Sequence, residues 1–184
     1  IAQEIEDFCK NNEFMDTTEK RHKGLLTGDD LAGWSATIEN PLSYDYKNYT
    51  VCKTGPWGQG PTFLQQLALL KEFDLDSLDE NSPEFVHLVV EATKLAFADR
   101  EAFYGDTNFN DVPMNILLSE EYNVKRRNLI SKEASMIVRP GVIPGFGGKV
   151  LVRPKGSTPE SFAKFDIGEP TVARFDEPNP SSLG

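Results

Sequence analysis

Histidine is almost missing from this sequence: His22 and His87 are its two copies in 184 residues. That leaves little material for histidine-based acid–base chemistry. Cysteine is equally sparse, with Cys9 and Cys52, which could pair or stay free. Basic residues are outnumbered, 19 Lys and Arg against 29 Asp and Glu, giving a formal charge of −10. A phosphate backbone would be repelled by that balance, so no nucleic-acid partner is expected. No apolar run approaches the roughly 18 residues that read as a membrane span, and no membrane partner is expected. No signal peptide opens the chain and no initiator Met stands at Ile1, which points to a fragment or a processed product.

What is present is an ordinary globular mixture, 39% hydrophobic and 26% charged, long enough for one domain or a piece of a larger one. The organising stretch is Tyr49 to Phe73. Tyr49 and Val51 alternate with Thr50 and Cys52 as in a half-buried strand. Gly55, Pro56, Gly58, Gly60 and Pro61 then break the ladder, and Pro61 suits the first turn of a helix. Phe63, Leu64, Leu67, Ala68, Leu70 and Phe73 follow at helical spacing.

Four more helices are predicted, separated by polar connectors. Ala2, Ile5, Phe8 and Cys9 share one face of a first helix, and Lys10 to Lys23 is read as irregular, its Lys20–Lys23 cluster a solvated loop. Thr27 and Asp30 form a short-armed capping box for a helix reaching about Trp34, with Leu26 and Leu31 placed for a hydrophobic staple. The run Ser43–Asn48 is read as turn-rich. Ser82 caps a long helix with Pro83 at its first position. Its buried stripe is Phe85, Leu88, Val89, Ala92, Leu95, Ala96 and Phe103, with Gly105 as C-cap. Glu91 and Lys94 are expected to pair on its exposed side, and Asp99 and Arg100 to find separate partners elsewhere. A last helix is capped by Ser119, with Glu120 and Glu121 early and Lys125, Arg126 and Arg127 late, the charge order a helix dipole favours. Short strands are expected at Lys149–Arg153 and Thr171–Phe175, before an exposed tail.

The motifs that carry chemistry are incomplete. Gly55-x-x-Gly58-x-Gly60 departs from the dinucleotide fingerprint, and Pro61 stands where a P-loop needs lysine, so the turn is read as architectural. Gly145-Phe146-Gly147-Gly148-Lys149 also fails as a P-loop, because Val150 follows the lysine. Gly33-Trp34-Ser35 is no nucleophile elbow, since Thr37 occupies the closing glycine position. Glu19/His22 and Glu84/His87 repeat the Glu-x-x-His spacing of di-iron bundles, but the first copy falls in a loop-like stretch. A Cys52–His87 dyad is conceivable, yet buried structural thiols are the plainer reading for Cys9 and Cys52. Asp106, Asn108 and Asn110 match the start of a calcium loop, but Asp111 and Leu117 occupy the positions that need Gly and Glu, so an Asx turn is expected. Asn48-Tyr49-Thr50 is a glycosylation sequon, relevant to a secreted protein. Spacing alone yields no active site, no metal site and no cofactor.

Several segments in order resemble the gamma-glutamyltranspeptidase family, in the later half of its large subunit. They are GLLTGDDLAGW, NPLSYDYKNYTV, EATKLAFADREAFYGD, VPMNILLSEEY and IVRPG, covering residues 1 to 141. The resemblance implies an α+β chain forming part of a four-layer αββα N-terminal-nucleophile hydrolase sandwich, mostly outer helices with a few strands. It implies a precursor that cleaves itself, at or just after Gly184, with residues 142–184 a Pro/Gly-rich arm ending near that junction. The nucleophile is then a threonine that begins a separate small subunit, its own α-amine serving as base. No catalytic residue, metal or cofactor is carried over onto this chain. Implied partners are the small subunit, the remainder of the large subunit, a possible second heterodimer, and a small γ-glutamyl or amide substrate. The turn Gly55–Pro61 replaces the family's more usual Pro-Pro-Ser-Ser-Gly-Gly. It resembles the transpeptidase-like amidohydrolase subgroup, which places simple amide hydrolysis beside γ-glutamyl transfer. An acidic binding or scaffold domain without catalysis is the reading from another class. Two cysteines do not fix the compartment; cytoplasm is favoured over periplasm.

Overall fold

The computed structural model describes residues 1–15 and 20–146. They fall into two units, residues 1–38 and residues 39–146. In the first, α1 (Ala2–Asn11) is followed by a short antiparallel pair, β1 (Glu13–Met15) and β2 (Arg21–Lys23), and then α2 (Gly28–Gly33). The capping box forms as the sequence predicts: Asp30 N–H donates to Thr27 Oγ1 at 3.2 Å, and Thr27 N–H donates to Asp30 Oδ2 at 2.8 Å. A longer-range contact joins α1 to this cap, Gly28 N–H donating to Glu6 Oε2 at 2.8 Å. None of the described residues of this unit is buried; Phe8 and Phe14 stack with ring centroids 5.6 Å apart and remain more than half exposed.

The second unit opens with an antiparallel hairpin, β3 (Leu42–Tyr46) and β4 (Tyr49–Lys53), in register Leu42↔Lys53 to Tyr46↔Tyr49. Its two-residue link needs a left-handed backbone, which Lys47 adopts at φ 53°. Helix α3 (Gly60–Leu70) packs on the hairpin, on the long α4 (Pro83–Phe103) and on α6 (Glu120–Arg127), with a short α5 (Met114–Leu117) between the last two. Ala92 and Ala96 lie one turn apart on α4, fully buried beside Leu69, Leu70 and Leu95. Such small side chains let two helix backbones approach closely. A second cluster gathers Ala102, Phe103, Leu117, Tyr122 and Ile143. The strand–turn–helix corner is tight: a Cβ on Gly60 would lie 2.8 Å from Lys53 Cβ and 3.1 Å from Thr54 N. Glycine there serves backbone approach, as the architectural reading of that turn requires.

Several expectations are corrected. The Lys20–Lys23 cluster is solvated but not a loop, since Arg21–Lys23 is a strand paired through its main chain with Glu13–Met15. A three-residue polar strand has no side-chain alternation to announce it. Ser43–Asn48 is largely strand, because Ser43 and Asp45 take the exposed positions between half-buried Leu42, Tyr44 and Tyr46. Helix α3 ends at Leu70, short of Phe73, and its buried face includes Leu69 while Phe63 stays 42% exposed beneath the Lys53 ammonium. Neither thiol is buried: Cys52 is exposed, Cys9 half-buried, and both are free. Gly105 does not take the left-handed C-cap conformation; Tyr104 ends α4 in extended backbone, and a Cβ on Gly105 would meet Asn110 Nδ2 at 2.8 Å. The strands expected at Lys149–Arg153 and Thr171–Phe175 lie outside the described residues.

Candidate functional site

Helix α4 carries two acidic side chains, Glu91 and Asp99, that are 1% and 0% exposed. Eight residues is a little over two helical turns, so both reach toward the same flank of the helix. Each would be prohibitively costly to bury as a lone charge. Asp99 is satisfied on both oxygens. Its Oδ2 accepts from Gln65 Nε2 of α3 at 2.6 Å and from Arg126 Nε of α6 at 3.1 Å. Its Oδ1 accepts from Arg126 Nη2 at 2.9 Å and from the Gly141 N–H at 2.7 Å. Arg126, 4% exposed, also donates to the carbonyls of Leu95, at 3.3 Å, and of Arg139.

Glu91 repeats the arrangement two turns earlier. Its Oε1 accepts from Lys94 Nζ at 2.6 Å and from the Ser135 N–H at 3.1 Å, while Oε2 accepts from Arg139 Nη2 at 2.8 Å. Lys94 Nζ further donates to Ser135 O at 2.9 Å, and Arg139 Nη1 to Leu129 O at 2.8 Å. Burial pushes the Glu91 carboxyl upward, but the bonds from Lys94 and Ser135 and the Lys94 and Arg139 charges outweigh it and hold it below the usual range. The predicted Glu91–Lys94 pair therefore exists, with its carboxylate buried and not on an exposed face. Asp99 has partners elsewhere, as expected; Arg100 instead pairs with its neighbour Glu101 and lies over the Phe97 ring.

Together the two carboxylates fix the course of the chain from Ser135 to Gly141 along α4. The fit at the far end is close, since a Cβ on Gly141 would stand 1.9 Å from Tyr122 Oη. Burial and the Asp99 charge raise the Tyr122 phenol, and burial lifts Tyr104 to about 12, so both remain protonated near neutrality. Beside this seam lies a groove of about 670 Å³, lined by Ser119, Tyr122, Lys125, Arg126, Pro140 and Val142 among others. Its one side-chain hydroxyl on a helix cap is committed, Ser119 Oγ donating to Ile116 O at 2.7 Å and accepting from Tyr122 N–H at 3.3 Å.

The other sequence candidates resolve into structural roles. His87 Nε2 lies 2.7 Å from Ser131 O, and Cys52 sits on the exposed hairpin strand β4. Glu19 of the first Glu-x-x-His copy lies outside the described residues. Among the described residues no group of three or more His, Cys, Asp or Glu side chains is arranged to hold a metal. Asp106 closes an Asx turn, accepting from Asn108 N–H at 2.9 Å. The position at or just after Gly184 also lies outside the described residues. What these residues do chemically is to hold backbone in place with buried charge. Sequence patterning missed this because Arg126 reads equally well as a dipole-complementing surface residue; its spacing from Tyr122 and Asn123, both buried on the same face, was the available signal.

A sequence model of gamma-glutamyltranspeptidase matches residues 1–149. The glutathione hydrolase proenzyme of Bacillus subtilis subsp. natto is 37% identical over 109 residues, 59% of this chain and 19% of that protein. The solved structure of LmbA2991HD superposes with a TM-score of 0.67 at 52% identity, covering 76% of this chain and 23% of that one. Cephalosporin acylase from Bacillus halodurans superposes with a TM-score of 0.60 at 34% identity, over 65% of this chain and 22% of its own. The chain thus spans about one fifth of the length of the curated relatives it matches. Family match, mixed helix-and-strand fold and solved relatives agree: this chain belongs to the gamma-glutamyltranspeptidase family.

Proposed function

We propose that this chain is a supporting portion of the large subunit of an autoprocessed amidohydrolase that cleaves γ-glutamyl or related amide bonds. The observation that carries the reading is the ordered family match over residues 1–149 joined to a polar interior spent on holding backbone. In this reading a threonine hydroxyl, first residue of the partner chain, attacks the amide carbonyl while its α-amine takes the proton. Backbone donors stabilise the oxyanion, the amine leaves with a proton, and water or an acceptor amine resolves the ester. The arm after Gly141 leads toward the self-cleavage junction, at or just after Gly184.

The Gly55–Pro61 turn sets simple amide hydrolysis beside transfer, and named relatives include both a glutathione hydrolase and acylases. The test is to express the full-length precursor and sequence the N-terminus of any second chain that appears. A threonine start, with p-nitroaniline released from γ-glutamyl-p-nitroanilide or product from a simple amide, is the expected result. Any other first residue, or an intact precursor inert toward both substrates, would leave the scaffold-domain reading standing instead.

A further inference from the structure

We propose that residues 131–141 form a strap that opens as one local unit while α3, α4 and α6 stay folded, and that Glu91 is its clasp. The strap is neither helix nor strand, and among the described residues none of its main-chain groups bonds to other main chain. Apolar burial does not hold it either. Met136, Ile137 and Val138 are 91%, 68% and 46% exposed, whereas Ile130 before the strap and Ile143 after it pack into the two core clusters. Between those two pins the strap is held by polar contacts. His87 Nε2 meets Ser131 O at 2.7 Å, and Lys94 Nζ donates to Ser135 O at 2.9 Å. Glu91 accepts from the Ser135 N–H at 3.1 Å and from Arg139 Nη2 at 2.8 Å. Further on, Arg126 donates to the Arg139 carbonyl and Asp99 accepts from the Gly141 N–H at 2.7 Å.

An attachment of this kind opens at low cost. A covered carboxylate has given up its hydration, and opening restores it, which offsets much of the lost pairing. Segments that bury little apolar side chain lie at the low-stability end of a fold and open before its core does. Glu91 is the clasp because one side chain meets both Ser135 and Arg139 and also pairs with Lys94. Asp99 and Arg126 keep each other, and Asp99 keeps Gln65, when the strap leaves. The core pair is therefore not broken by opening.

Hydrogen exchange of the full-length protein at neutral pH, resolved to single amides by mass spectrometry, tests this. In the parent, the Ser135 and Gly141 amides are expected to be protected at least about tenfold less than Leu95 and Ala96 of α4. Glu91→Gln and, separately, Lys94→Met should each lower the protection of both strap amides by about a further tenfold, leaving Leu95 and Ala96 within about threefold of the parent. Gly141 is the decisive reporter, because its acceptor Asp99 is untouched in both variants; loss of a single bond would move Ser135 alone. Ser135 accelerating without Gly141, or neither accelerating, overturns the inference. So does a parent strap as protected as α4, which is the result if the rest of the protein buries Met136 and Ile137. Acceleration of α4 in step with the strap, or failure of both variants to fold, would show that strap and core are one cooperative unit and overturn it equally.

Discussion

Asp99 and Arg126 form the most enclosed ion pair among the described residues, 0% and 5% exposed at their side chains. Removing one partner strands the other in a low-dielectric interior, so Asp99→Ala in the full-length protein should cost about 3–5 kcal/mol, read from denaturant unfolding. Replacing both, as Asp99→Leu with Arg126→Met, should recover most of that loss. Glu91 supplies a pH signature. Its folded carboxyl lies below the usual value, so its contribution is fully present above the unfolded carboxylate pKa of about 4.3 and is lost as pH falls through the lower folded value. The stability gap between parent and Glu91→Gln should therefore be widest near neutrality and close below about pH 4. Unfolding midpoints at pH 7 and pH 3.5 measure it; an equal gap at both would show that the carboxylate charge contributes nothing.

Helix termini carry the next level of specification. The three basic residues closing α6 look alike in sequence but divide their work. Lys125 pairs with Glu121 within the helix at 2.7 Å, Arg126 goes to Asp99, and Arg127 donates to the last carbonyls of α3, Ala68 at 2.7 Å and Leu69 at 3.0 Å. Those carbonyls have no intrahelical donor, so Arg127 acts as a C-cap from another element. Arg127→Ala should destabilise by roughly 1–2 kcal/mol, more than Lys125→Ala, whose exposed pair is worth at most about 1 kcal/mol. Ser119 caps α6 as predicted, and Ser119→Ala should cost about 1 kcal/mol. Overpacking gives a sharper test of the α3–α4 contact: Ala96→Leu, at a 0% exposed position, should cost about 1–3 kcal/mol. Thermal melts of the full-length protein rank these four.

At the scale of the molecule, the two units differ in what they can sustain alone. Residues 39–146 bury two apolar clusters. Residues 1–38 bury no described side chain, while Leu25, Trp34 and Ile38 are 91%, 75% and 104% exposed. Apolar surface of that kind drives association. The isolated 184-residue chain should therefore self-associate or melt without cooperativity, and a monomer with one sharp transition in calorimetry and sedimentation would contradict this.

The sequence by itself determined the local grammar: the Thr27, Ser82 and Ser119 caps, the long helix from Pro83 to Phe103, the glycine corner before α3, and the ordered segments that mark the family. These are legible because caps, prolines and helical periodicity act within a few residues. Only the tertiary structure decided where the charges go. Glu91 reads as half of an exposed pair, Asp99 as a residue with an unnamed partner and Arg126 as a complement to a helix dipole until helices separated by dozens of positions pack together. Whether a carboxylate meets solvent or a guanidinium depends on neighbours that local pattern does not encode. The hairpin partner of β4 was hidden for a related reason, since Ser43 and Asp45 look like turn residues until the opposite strand supplies their backbone with hydrogen bonds.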